Sequence, residues 1–244
     1  MQRISLAILV LFAFHANTCT AQPVDQEQTR LLVFTKTDGF RHSSIPDGVQ
    51  ALREIGGEND FSIDHTEDAA LFSAENLQQY DAVVFLNTTE DVLNDEQQDA
   101  FKQYINGGGG FVGIHAASDT EYGWPWYGRL VGAYFVSHPS IQEATIRVLN
   151  RNHPSTSHLP AEWVRTDEWY NFKEIQPHIN VLANLDESTY RGGENGENHP
   201  IAWYHEFEGG RVFYTAGGHT SESYSEPLFR QHLLGGIRYV LGKN

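Results

Sequence analysis

The chain alternates between short unbroken apolar runs and longer segments whose apolar positions recur every three or four residues. LLVFT, residues 31–35, is a run of the first kind, and its length and composition predict a parallel strand buried on both faces. After the loop TDGFRHSS, Pro46 opens IPDGVQALREIGG, where Val49, Leu52 and Ile55 share one helical face ahead of a Gly-Gly stop. The cycle repeats with FSIDHT, a helix near Ala74 to Gln79, and the apolar strand DAVVFLN. LNDEQQDAFKQYINGGGG then reads as an amphipathic helix capped by Asn94 and stopped by glycines 107 to 110, and FVGIH follows as the next strand. This rhythm predicts the α/β class, with an open, doubly wound parallel sheet.

Beyond His138 the rhythm changes. IQEATIRVL, EWVRTDEWYNF, INVLANL, PIAWYHEF and RVFYTAGG are strand-like and separated by loops rich in Pro, Asn and Gly, which predicts a β-rich second half with antiparallel pairs. A closing helix is expected over EPLFRQHLLGGIRYVLG, with Leu228, His232, Leu233, Ile237, Val240 and Leu241 on one face. All of this fits one α/β domain in a chain of 244 residues.

The first residues, MQRISLAILVLFAFHANTCTAQ, do not belong to that pattern. An early Arg3, an apolar run from Ile4 to Phe14 and small residues before Gln22 have the layout of a secretory signal peptide over 1–21. The run falls short of the ~20 apolar residues a bilayer-spanning helix needs. We therefore expect an exported protein, periplasmic or extracellular, with a polar segment at 22–29 and the folded domain at 30–243. The only cysteine, Cys19, lies inside the leader, so cleavage after Ala21 removes the sole thiol and with it cysteine catalysis and disulfides. The formal charge is −16, and becomes −17 once Arg3 is lost, with 15 Lys and Arg against 32 Asp and Glu. So acidic a surface repels phosphate backbones and anionic lipid, which argues against nucleic-acid and membrane partners.

In an open α/β sheet, ligands bind where the carboxyl ends of the strands meet the loops. His42 follows LLVFT, His115 follows FVGI and His219 follows RVFYTAGG, so three imidazoles from distant segments are expected in one pocket, suited to a metal or to proton transfer. His115 stands at the turn leaving a central strand, where α/β enzymes usually place a nucleophile. A second group, in TEYGWPWYGRLVG, SHP and TDEWYNF, combines aromatic rings with carboxylates. Trp124, Trp126 and Tyr127 are candidate sugar-stacking residues, with Asp167 and His138 as further substrate contacts and Asp119 and Glu168 as proton-transfer partners. At least half of the five tryptophans, Trp124, Trp126, Trp163, Trp169 and Trp203, are assigned to ordinary core packing. No Ser-His-Asp order, GxxxxGK[ST] phosphate loop or GxGxxG fingerprint is present.

Taken in order, VFTKTDGFRHSSIPDGVQAL, YDAVVFLNTTEDVL, GGGFVGIHAASDTEYGWPWYGRLVGAYFVSHP, TDEWYNF, HPIAWYHEFEGGRVFYTAGGHT and FRQHLLGGIRYVLG resemble the ThuA-like family, named for trehalose utilisation. The resemblance implies a flavodoxin-like, class I glutamine amidotransferase-like sheet whose nucleophile elbow carries His115 in place of the catalytic cysteine, so that glutamine hydrolysis through a thiolate is lost. The family's association with trehalose, sucrose and oxidised (3-keto) sugars implies a small-molecule carbohydrate as partner and a hydrolase, isomerase or lyase as activity. A non-catalytic carbohydrate-binding module on a degenerate amidotransferase-like fold is the alternative. A divalent metal as cofactor is compatible with the histidines, although the resemblance fixes neither its ligands nor the oligomeric state.

Overall fold

The computed structural model describes residues 28–243, so the expected signal peptide lies outside the described residues. Three βα cycles and a fourth strand build the first half: β1 (Thr29–Phe34), α1 (Ile45–Glu58), β2 (Phe61–Thr66), α2 (Ala74–Leu77), β3 (Ala82–Leu86), α3 (Asp95–Asn106) and β4 (Gly110–Ile114) with the 3-10 turn His115–Ser118 after it. Then come α4 (Pro125–Val131), β5 (Tyr134–Ser137), β6 (Gln142–Val148), β7 (Glu162–Asp167), β8 (Asn171–Lys173), β9 (Asn180–Leu185), β10 (Pro200–Phe207), β11 (Gly210–Thr215) and α5 (Pro227–Val240).

Nine strands form one sheet in the order β2-β1-β3-β4-β11-β10-β9-β6-β7, parallel from β2 to β11 and antiparallel beyond. The continuous apolar runs occupy its middle: every residue of β3 and of β4 is buried, as parallel strands covered on both faces require. Helices cover the two faces separately. Phe101 of α3 stacks on Phe85 and meets Trp126 of α4 on one side, while α5 lays Phe229, His232, Leu233 and Ile237 beside Phe213 and touches α1 on the other. The expected Asn94 cap holds the start of α3 and is completed to a capping box by Gln97: Asn94 Oδ1 accepts from the Gln97 amide and the Gln97 side chain accepts from the Asn94 amide.

Three details differ from the reading of the sequence. WPWYGRLV contains a seven-residue helix, α4, opened by a proline at its first turn, where the sequence pattern predicted no helix and offered Trp124, Trp126 and Tyr127 as sugar-stacking residues. EWVRTDEWYNF is two strands, not one: it breaks at Glu168–Tyr170, and its halves join different sheets, β8 pairing with β5. On α5 the buried position is Phe229, with Leu228 only half-buried.

One consequence of the topology positions the site. β7 is the last strand of the sheet, yet Asp167 at its end accepts hydrogen bonds from the Gly218 and His219 amides, and the Arg165 guanidinium lies 4.5 Å over the Phe229 ring. The antiparallel half therefore coils back until its edge strand closes on the loop that follows β11, an extension of the ordinary strand twist.

Candidate metal centre

Four segments converge at the carboxyl edge of the parallel strands. His42 comes from the loop after β1, His115 from the turn after β4, Glu168 from the break after β7 and His219 from the loop after β11. One ligand atom from each lies within 4.8 Å of all the others. The three imidazole centroids are 4.9, 5.0 and 5.2 Å apart.

His115 is held by its backbone as much as by its ring. Its φ of +50° is a left-handed conformation that costs a non-glycine residue energy and commonly marks an active-site elbow. The Tyr214 hydroxyl, in contact with Ser118 Oγ at 2.9 Å, donates to the His115 carbonyl at 2.8 Å and locks the turn. Gly113 makes room for this packing, since a Cβ there would stand 2.9 Å from the Tyr214 ring. The His115 Nδ1–H donates to the Ala216 carbonyl at 2.7 Å, which in the neutral ring leaves the Nε2 lone pair facing the cluster. Tyr170 covers the other side, its ring centroid 4.1 Å away.

Asp167 aims the opposite wall. Its carboxylate is fully buried and accepts from the Glu168, Gly218 and His219 amides, from Ser223 Oγ and from Arg165. Gly218, at φ +114°, supplies the reversal that brings His219 round to the site. His219 Nδ1 then sits 2.9 Å from Glu168 Oε2 and 3.3 Å from His115 Nε2, and the third side, His115 Nε2 to Glu168 Oε2, is 3.5 Å. His138 Nδ1, hydrogen-bonded to the Pro139 carbonyl at 2.9 Å, also stands 2.9 Å from Glu168 Oε1.

The electrostatics suit a cation. Burial, reinforced by the neighbouring His115 and His219, lowers the His42 imidazole to about 3, so it is neutral and can donate a lone pair. His42 Nδ1 is buried without a hydrogen-bond partner. For Glu168, burial opposes ionisation, but the neighbouring His115 and His219 rings outweigh it and hold the carboxyl at about 2. Metal–ligand bonds of 2.0–2.3 Å put neighbouring ligand atoms roughly 3–4 Å apart, and the triangle of 2.9, 3.3 and 3.5 Å meets that spacing. Two imidazoles and a carboxylate on one face, with a third imidazole beside them, are a donor set for a divalent transition metal such as zinc, iron or manganese.

The other residues singled out in the sequence fall elsewhere. Asp119 is half-buried; burial raises its carboxyl, and the Tyr122 hydroxyl donates to it at 2.6 Å. Asp167 positions the site from beneath, every side of its carboxylate being used by the protein, and so does not contact substrate. Trp126 and Tyr127, only 5% and 0% exposed, belong to the core: the indole N–H donates to Glu208, the phenol donates to the Ala117 carbonyl, and Phe85, Phe111 and Phe101 cover the rings. Trp124 is half-buried, stacked on Trp126. Trp163, Trp169 and Trp203 are also buried, each with its N–H donated. Sequence reasoning overlooked Tyr170 and Tyr122, whose only signal was their nearness in the chain to Glu168 and Asp119.

A doubly wound sheet with a strained turn, carrying His115, at the end of a central strand defines a class I glutamine amidotransferase-like fold. Residues 30–240 match the family described as ThuA, trehalose utilisation, and the chain belongs to that family. Its fold is shared by a ThuA-like protein from Bacteroides uniformis (24% identity, TM-score 0.75, covering 91% of this chain and 94% of that one) and by another from Parabacteroides merdae (19%, 0.72, 88% and 91%). It also resembles a GMP synthase component from Thermoplasma acidophilum (11%, 0.56, 88% and 94%). No curated protein matches the chain.

Proposed function

We propose that this protein is an exported, metal-dependent enzyme of glycoside or oxidised (3-keto) sugar metabolism, with no glutamine amidotransferase activity. The single observation that carries the reading is the convergence of His42, His115, Glu168 and His219, with one candidate ligand atom from each within 4.8 Å of the others, around the strained turn after β4. These four side chains would hold a divalent ion. Such an ion supplies a Lewis acid for a carbonyl or hydroxyl oxygen of the sugar. The remaining chemistry belongs to the chain's own groups. Asp119, its carboxyl raised by burial, carries the proton, and Tyr122 orients that carboxyl through its short hydrogen bond. Glu168 is reassigned from proton carrier to ligand, because its carboxyl is held at about 2 and stays ionised. His138, held by the Pro139 carbonyl, flanks the second oxygen of Glu168 at 2.9 Å. Trehalose utilisation, the description of the family, supports a sugar as substrate.

The test is metal analysis of the purified mature protein, followed by turnover assays on trehalose, sucrose and their 3-keto derivatives. We expect one divalent ion per chain, and we expect Glu168→Gln to weaken metal binding by at least tenfold and to abolish turnover. Metal-loaded protein that binds sugar without converting it would make this a carbohydrate-binding module, and protein that takes up no metal would overturn the centre. N-terminal mass measurement of the secreted form checks export, for which cleavage after Ala21 is expected.

A further inference from the structure

Among the described residues every Phe, Tyr and Trp side chain is buried or half-buried except one, Phe40, which is 65% exposed. A lone exposed apolar residue is ordinary on a protein surface. Phe40 is distinguished by where it stands and how firmly it is held. Its ring lies 4.9 Å from the His42 imidazole, at 88°, so the phenyl stands directly beside the histidine cluster. Its loop is pinned to the strand-end loop after β3: the Asp38 amide donates to the Thr89 carbonyl at 3.0 Å, the Gly39 amide to Thr89 Oγ1 at 3.3 Å, and Thr89 Oγ1 to the Phe40 carbonyl at 3.1 Å. Gly39 is packed so closely that a Cβ would stand 2.7 Å from Glu90 Cγ. The ring is thus displayed on a fixed support.

We propose that Phe40 is the aromatic platform for the substrate of this site, stacking on the C–H face of a pyranose ring whose oxygens reach the His42–His115–Glu168–His219 cluster. The inference rests on the reading of the site as carbohydrate-directed and narrows its substrate class to pyranosides. A pyranose presents axial C–H bonds on one face and hydroxyls at its rim, so one flat apolar ring beside a group of polar donors and acceptors matches it. The polar counterpart is at hand in His138, which is exposed on the flank of Glu168. Of the sequence candidates Trp124, Trp126 and Tyr127, the last two have no open face and the half-buried Trp124 is stacked on Trp126, so Phe40 takes their place.

The experiment compares metal-loaded wild type, Phe40→Ala and Phe40→Trp by calorimetric titration with trehalose and 3-ketotrehalose, by steady-state kinetics on whichever is turned over, and by metal content. Phe40→Ala should raise Kd and KM roughly two- to tenfold, the range expected from ring stacking, with kcat and metal content near wild type. Phe40→Trp should restore binding. Wild-type affinity in Phe40→Ala would overturn the platform while leaving the site's function intact, and so would loss of metal in that variant, which would make Phe40 a packing support for His42. If Phe40→Ala instead splits a wild-type dimer without changing sugar affinity, Phe40 is a protein contact and the proposal fails. Wild type that binds metal but neither sugar would sink the carbohydrate reading itself, and the platform with it.

Discussion

Single residues in this protein are specialised by their surroundings more than by their type. Histidine illustrates the point: His42, His115 and His219 gather around Glu168 with their rings about 5 Å apart, whereas His232 is buried with Nδ1 on the Ser155 carbonyl and Nε2 on Thr215, a packing role. The sequence offered strand-end placement for the first three, and that was enough to group them. Tryptophan offered no such guide, because an aromatic run such as WPWYG looks the same whether it lines a cleft or fills a core. Asp167 and Glu168 are adjacent and chemically alike, yet one is consumed by three backbone amides, Ser223 and Arg165 while the other is offered to the histidines. Asp167→Asn should therefore weaken metal binding without touching the ion, by roughly 10–100-fold, the usual loss when a group supporting the ligands is changed. A metal titration of the variant checks this, and a wild-type affinity would show that Gly218 and His219 hold their places unaided.

At the scale of elements, legibility followed local signals. β1, β3 and β4 are continuous apolar runs, and α3 has both halves of its capping box written in LNDEQ, so these were plain from the sequence. Replacing Asn94 by Ala should destabilise the protein by about 1 kcal/mol, measured by chemical denaturation, with the site unaffected. α4 carries no side-chain cap and is only seven residues long, so its helical signal was outweighed by the density of rings. The break between β7 and β8 was invisible for another reason: nothing local ends a strand at Glu168, and the chain turns there because Asp167 is claimed by the Gly218 loop. Gly113 carries a similar long-range demand inside β4. Gly113→Val should cost several kcal/mol by forcing Tyr214 off the elbow, and loss of metal binding in a still-folded variant would be its signature.

For the whole molecule the large number of buried imidazoles sets the response to acid. Burial lowers His232 and His205 to about 3 and His153 to about 4, against 6.5 for each in the open chain. The unfolded chain thus binds more protons than the native one as pH falls below 6.5. Each group's stabilisation is whole above that value and is lost on the way down to its folded value, at about 1.4 kcal/mol per pH unit for each histidine. Asp119 and Glu121, raised by burial, act in the opposite direction and soften the slope. Thermal unfolding between pH 7 and 4 should show a steep fall in midpoint, and His232→Leu should flatten it; a midpoint indifferent to pH over that range would contradict the burial of neutral histidines.

The return of β7 to the loop beyond β11 also dictates when the site can come into being. Its four residues are contributed at positions 42, 115, 168 and 219, and the carboxylate follows an edge strand that must fold back past β6, β9 and β10 before it meets the histidines. Contacts so distant along the chain form slowly, after the local βα units have condensed. During refolding, then, capture of a cation should trail the recovery of helical circular dichroism, and the ion would act as a timekeeper for the last docking event in the domain.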